Sequence, residues 1–154
     1  QFTSLKPYRV IVSGRIKHFI SAFGEHVIAK EVEHALQEAV SETKDVRINE
    51  FTVAPNITPQ EGGLPYHQWF IEFQNEPKNI TDFAQKIDTA LQAQNSYYLD
   101  LIKGKILQTL KIVPMKKDSF NEYMKSQGKL GGQNKLPRLS NVRNIAEKLL
   151  KINS

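Results

Sequence analysis

Three short stretches hold residue types from which chemistry could be built. The first is Gly14-Arg15-Ile16-Lys17-His18, a charged turn ahead of the apolar run Phe19-Ile20. An arginine there suits oxyanions or vicinal hydroxyls, because its planar fork binds two acceptors at once. The second is Gly24-Glu25-His26, a carboxylate beside an imidazole after a residue free to turn with positive φ. Such a pair could serve as a general acid or base. The third runs from Gly128 to Arg138, where Gly128, Gly131 and Gly132 stand among Lys129, Lys135 and Arg138. Glycines let backbone N–H groups approach an anion, and the lysines and arginine around them add positive charge.

The remaining histidines narrow the options. His18, His26, His34 and His67 fit no HExxH or paired metal-ligand spacing, so no metal site is expected. His34 falls on the outer side of a predicted helix and reads as a surface residue. For His26 and His67 a hydrogen bond in the core or at an interface competes with acid–base work, and is the commoner fate of such a residue. The chain lacks a Gly-x-Ser-x-Gly elbow, a Walker phosphate loop and a dinucleotide fingerprint, which leaves a free-standing hydrolase, P-loop kinase or dehydrogenase unsupported.

Charge singles out the same C-terminal region. Residues 103–154 hold 12 Lys and Arg against 3 Asp and Glu, a net +9, while the first 102 hold 9 against 13, a net −4. So basic a last third would attract phosphate, nucleic acid or an acidic protein face, although much of it can equally be a solvated lysine surface. The absence of cysteine removes disulfides and thiolate metal sites. No apolar run reaches the roughly 18–20 residues that span a bilayer, and a cytoplasmic location with no membrane partner is expected.

These segments need a scaffold, and 154 residues with 40% apolar content suffice for one domain with a buried core. Tyr8–Val12 and Phe19–Phe23 are short β-like runs. Apolar positions Ile28, Val32, Ala35, Leu36, Ala39 and Val40 recur at helical spacing over Ile28–Glu42. Arg47–Val53 alternates, Pro55–Pro65 is a Pro/Gly-rich loop, and Trp69–Phe73 completes a hairpin. Thr81–Ala93 predicts a second helix, and Ile106–Val113 a central strand stopped by Pro114. The order strand, helix, strand, strand, helix, strand is that of an α+β, ferredoxin-like antiparallel sheet (βαββαβ) with helices packed on it. A short helix over Ser119–Ser126, the Gly-rich loop, and a last helix over Val142–Leu150 capped by Ser140 form a C-terminal helical extension.

Gly14, Arg15, Lys17, Ile20, Gly24, Glu31 and Glu33 follow the order of the hinge motif of the acyl-adenylate-forming superfamily that includes acyl-CoA synthetases, 4-coumarate ligases and firefly luciferase. Three stretches narrow the resemblance: Ile20-Ser21-Ala22-Phe23-Gly24-Glu25-His26, Pro65-Tyr66-His67-Gln68-Trp69-Phe70-Ile71-Glu72, and Gln133-Asn134-Lys135-Leu136-Pro137-Arg138. Together they resemble the C-terminal domain of the auxin-responsive acyl-acid amido synthetases, bacterial relatives included. Gly104-Lys105-Ile106-Leu107 is similar to the surroundings of the catalytic lysine in acyl-CoA synthetases. Its position before a predicted strand makes Lys105 structural.

The resemblance implies a C-terminal lid, residues 1–154 of a longer enzyme, with a hinge near 13–18, a core over 19–113 and a basic loop and helical tail over 114–154. The partner would be an N-terminal adenylation domain of the same polypeptide, which would bind most of the ATP and Mg2+. The full-length protein would adenylate a carboxylic acid and pass the acyl group to an amine, an amino acid being the expected acceptor, and the isolated fragment would be inactive. Lys135 would be catalytic, Arg15, Lys129 and Arg138 would contact nucleotide, and Lys17 would be the hinge pivot. Glu25, His26 and His67 would serve an acid/base or acceptor site. The alternative is a ferredoxin-like nucleic-acid-binding module with a basic tail, its sheet aromatics stacking bases. The basic residues cluster away from those aromatics, which counts against it.

Overall fold

The computed structural model describes residues 2–5, 8–10, 19–128 and 135–154. The hinge span 13–18, with Arg15 and Lys17, and Lys129 of the basic loop lie outside the described residues. Two small ladders come first: β1 (Phe2–Leu5) with β2 (Tyr8–Val10), and β3 (Phe19–Ile20) with β4 (Val27–Ile28), both antiparallel. Helix α1 (Ala29–Ser41) follows, then the long hairpin of β5 (Arg47–Asn56) and β6 (Tyr66–Asn75). Helices α2 (Ile80–Gln94) and α3 (Ser96–Lys103) lead to β7 (Lys111–Met115), and α4 (Ser119–Ser126) and α5 (Asn144–Asn153) close the chain.

The fold is α+β and keeps the expected order of elements, with two adjustments. The main sheet has the order β5-β6-β7, and β7 joins β6 in parallel, so the sheet is mixed where an antiparallel one was expected. Parallel pairing is possible because a long helical crossover, α2 and α3, separates the two strands. Ile106–Val113 therefore becomes an edge strand that begins only at Lys111 and runs through Pro114. An edge tolerates proline, since one row of its amides has no partner strand. The first strand, β3, pairs with β4 in a ladder of its own.

Strand β6 sits at the centre, and seven of its ten residues, Tyr66 to Glu72, are buried. One sheet face carries Phe51, Val53, Trp69 and Ile71 against Val32, Ala35, Leu36 and Ala39 of α1 and Phe83, Ile87 and Leu91 of α2. Trp69 stacks on Phe51 with ring centroids 5.7 Å apart. On the other face Ala54 and Phe70 pack against Phe120 and Tyr123 of α4 and Ala146 and Leu149 of α5. The C-terminal extension is thus the second half of a three-layer core, burying a face that would otherwise expose Phe70.

Helix α3 was not anticipated. Asn95 ends α2 and starts α3, its side-chain oxygen accepting from the Tyr98 amide at 2.9 Å, as an N-cap should. Tyr98 is fully buried and its hydroxyl donates to the equally buried Asp88 carboxylate. That carboxylate also accepts from the Leu110 amide at 3.1 Å and the Gln92 side chain at 2.6 Å. Burial, then the Asp88 charge and hydrogen bond, push the Tyr98 hydroxyl well above its ordinary range, so it remains a donor. Lys105 lies in the exposed turn after α3, at φ 56°, and not in a strand. The last helix begins at Asn144, with Arg143 and not Ser140 at its N-terminal boundary. Among the described residues no helix is long and apolar enough to cross a membrane.

Removing one donor from a buried carboxylate strands part of its hydrogen-bonding capacity. Tyr98→Phe is expected to lower the unfolding free energy by about 1–3 kcal/mol in urea titrations. An unchanged midpoint would show that Asp88 finds a substitute donor.

Candidate functional site

Two candidate edges can be built from the described residues, one on the side of the expected hinge (the hinge side) and one beside the expected basic loop. On the hinge side the chain leaves β3 through a turn closed by the Gly24 amide bonding to the Ser21 carbonyl at 3.2 Å. Gly24 has φ +89°, the positive-φ turn predicted there. The turn delivers Glu25 into the interior, where its Oε2 lies 2.8 Å from His67 Nε2 and both side chains are fully buried. Oε1 accepts from the Phe23 amide at 3.0 Å. Since a carboxylate only accepts, Nε2 carries a proton and donates a hydrogen bond to Glu25. His67 Nδ1 is buried and has no hydrogen-bond partner among the described residues, and the ring packs 5.1 Å from that of Tyr98.

Asn95 secures the same turn from below. Its Nδ2 donates to the Glu25 carbonyl at 3.0 Å, the His26 carbonyl at 3.3 Å and Glu31 Oε1 at 3.2 Å. Glu31 in turn accepts from the Ile28 amide at 3.0 Å and fixes the start of α1. Glu25 therefore pairs with His67 and not with His26, its neighbour in sequence. The His26 side chain is exposed at φ 45°. A buried carboxylate–imidazole pair could hold a proton, yet a fully enclosed one reaches no substrate in this conformation. It fixes the turn.

The loop edge is anchored on β5, the outer strand of the sheet on the side away from β7. Lys135 is exposed, and the residues that follow it run beside β5. Thr52 Oγ1 donates to the Pro137 carbonyl at 2.7 Å, the Val53 amide to the Arg138 carbonyl at 2.9 Å, and the Ser140 amide to the Val53 carbonyl at 3.0 Å. Leu136 and Leu139 enter opposite core layers, so the strand-like segment straddles the sheet edge. The Arg138 guanidinium is bound by Glu50 of β5 and by Glu33 of α1 at 3.4 Å, and lies over the Phe51 ring at 4.8 Å. At the other base of the loop, α4 begins where the buried Glu72 accepts from the Phe120 amide at 3.3 Å.

The two edges touch. The Ser21 amide, in the hinge-side turn, donates to Asn141 Oδ1 at 3.0 Å, and Glu33 of α1 reaches Arg138. The basic surface is also narrower than the composition suggests. Lys111 pairs with Glu61 at 3.5 Å and lies over Tyr66, and Arg143 pairs with Glu147 at 2.8 Å and donates to the Pro55 carbonyl at 3.0 Å. Among the described residues no three His, Asp or Glu side chains converge as a metal site. Trp69 and Phe70, which base stacking would need on the surface, have no exposure. His34 is on the surface as expected, near Glu38 at 3.5 Å.

Residue spacing did not point to Asn95, Asn141, Glu50 or Glu72 as parts of these edges. For Asn95 a signal existed: an Asn ahead of the apolar run Tyr98-Leu99-Asp100-Leu101-Ile102 is an N-cap pattern. The other three act across distant segments.

Burial pushes the Glu25 carboxyl up, but the hydrogen bonds from His67 and the Phe23 amide and the charge of His67 outweigh it, leaving it below the ordinary 4.5. A carboxyl whose pKa falls on folding contributes stability that is fully present above 4.5 and disappears as pH drops through the lowered folded value. In urea titrations between about pH 7 and about pH 3, Glu25→Gln should therefore show its largest deficit at the upper end and converge on the wild type in acid. A deficit that grew on acidification would contradict the assignment.

Residues 30–144 match the family model described as "GH3 family C-terminal domain". A solved "GH3.15 acyl acid amido synthetase" superposes with a TM-score of 0.70 at 23% identity, covering 91% of this chain and 26% of its own. "AtGH3.15 acyl acid amido synthetase in complex with 2,4-DB" gives 0.69 at 19% identity, covering 90% and 26%. Comparison with curated proteins gave no match. The structural likeness establishes the fold, and the chain spans about a quarter of the length of those solved relatives. With the family model covering most of its residues, this chain belongs to the GH3 family, as a C-terminal domain.

Proposed function

We propose that the chain is the mobile lid of an ATP-dependent acyl-acid amido synthetase. In this reading an N-terminal domain of the same polypeptide holds ATP, Mg2+ and a carboxylic acid. The acid's carboxylate attacks the α-phosphate and releases pyrophosphate. An amine, an amino acid in our reading, then attacks the acyl carbon, forming the amide and releasing AMP and a proton. The observation that carries the proposal is the placement of Lys135: an exposed cation just before the segment that bonds to β5 at Thr52 and Val53.

The backbone beside this lysine is bonded to β5, so its ammonium group can be brought to one place on the nucleotide, and charge held in place is what stabilises a developing oxyanion. Its sign suits a nucleotide phosphate and not a metal cation, which leaves Mg2+ to the other domain. Arg15 and Lys129 complete the nucleotide contacts in this proposal, and Lys17 is the pivot. Glu25 and His67 support the turn that follows the hinge, and His26, on its exposed side, is the remaining candidate for a base near the acceptor amine.

The test is Lys135→Ala in the full-length protein. Acid-dependent exchange of pyrophosphate into ATP should fall by about 100-fold or more while the unfolding midpoint stays put. Unchanged rates in both adenylation and acyl transfer would remove Lys135 from the chemistry.

A further inference from the structure

Arg138 lies three residues from Lys135 in a segment where an arginine is expected to hold nucleotide. Its surroundings assign it other work. Glu50 binds the guanidinium from β5 and Glu33 from α1, and the same group donates to the Phe51 carbonyl at 3.3 Å and covers the Phe51 ring. The group is thus bound on its carboxylate and carbonyl sides and packed on one face. A planar fork with fixed donors is well suited to joining two carboxylates on different elements.

The backbone around it tells the same story. Hydrogen bonds to β5 begin at the Pro137 carbonyl, pass through Arg138 and end at the Ser140 amide, all within five residues of Lys135. One residue further on, Asn141 receives the Ser21 amide from the hinge-side turn. Arg138 thus stands where the Lys135 segment, the strand β5 and the helix that follows the hinge converge.

We infer that Arg138 is a positioning residue: its pairing with Glu33 and Glu50 locks the Lys135 segment to the hinge-side half of the domain, so that one rotation carries Lys135 as part of a rigid body. The inference rests on the proposed lid function. If the guanidinium let go, Lys135 would still be present and charged, but its position relative to the nucleotide would be set by a loosened segment. Misplacement by about 1 Å can cost on the order of 100-fold in rate.

The two roles separate in kinetics. A nucleotide ligand contributes to ATP binding, so its loss raises the KM for ATP. A positioning residue leaves that KM in place and lowers kcat. In the full-length protein, Arg138→Met should reduce kcat for pyrophosphate exchange by about 10- to 100-fold with the ATP KM changed less than about threefold. The double variant Glu33→Gln/Glu50→Gln, which leaves Arg138 intact, should reproduce that loss. Combining all three substitutions should add little further, because both act on one interaction.

A rise in ATP KM of more than about threefold in Arg138→Met would overturn the inference, and so would wild-type kcat in the double glutamate variant. If Arg138→Met does not fold, the glutamate pair, which changes charge and not volume, decides alone. Failure of the lid reading would look different: the wild-type enzyme would show no acid-dependent exchange at all. The lock is then judged by hydrogen exchange at the Val53 and Ser140 amides, which should speed up at least tenfold in the double glutamate variant. Unchanged protection there would refute it.

Discussion

The structure depends on a strand that is buried on both faces yet carries polar side chains. β6 places His67, Gln68 and Glu72 among Trp69, Phe70 and Ile71, where an unpaired polar group is costly. Nε2 of His67 and the Glu72 carboxylate meet this requirement with partners from distant parts of the chain: Glu25 in the hinge-side turn for His67, and the first turn of α4 for Glu72. The need to satisfy a central strand thereby tethers both segments that the chemistry would use. Burial comes first and positioning follows from it.

This explains how the turn at Gly24 and the segment from Pro137 to Ser140 are held. The Gly24 turn would be free to move if only its 3.2 Å backbone bond closed it. Its carboxylate is instead enclosed with His67, and its carbonyls are held by Asn95, which is fixed as the cap between α2 and α3. The basic loop is set between α4, seated on Glu72, and the segment at Arg138, seated on β5 and α1. Ser21 and Asn141 join the two halves. The proposed lid movement needs such ties, because slack between the segments would blur the position of any side chain the lid delivers.

Much of the fold was legible in the sequence because it rests on local periodicity. The 3.6-residue stripes of α1 and α2 and the alternation of β5 read directly, and so did the turn at Gly24. What escaped depends on contacts between distant segments. The parallel placement of β7 follows from the space beside β6, which Pro114 in isolation argues against. Helix α3 is short and owes its existence to Tyr98 meeting Asp88, ten residues back, and to the cap at Asn95. The candidate site shows the same division. Glu25 and His67 were each recognisable as chemically competent, but their pairing across 42 residues was not, and the adjacent His26 was the obvious wrong partner. Arg138 could be placed in a motif, whereas its carboxylate partners lie 88 residues away on β5 and, still further off, on α1.

The central claim is that the hinge-side elements and the Lys135 segment move as one body. The chain has no cysteine, so spin labels can be placed uniquely within it, at the exposed positions His34 on α1 and Val142 beyond the loop, in a full-length protein free of other cysteines. Pulsed dipolar spectroscopy then reads the interval between them, with and without nucleotide and acid. The account predicts a single narrow distance that is the same in every state, while a label in the N-terminal domain changes its distance to either one. A His34–Val142 distance that broadens or shifts on ligand binding would contradict it.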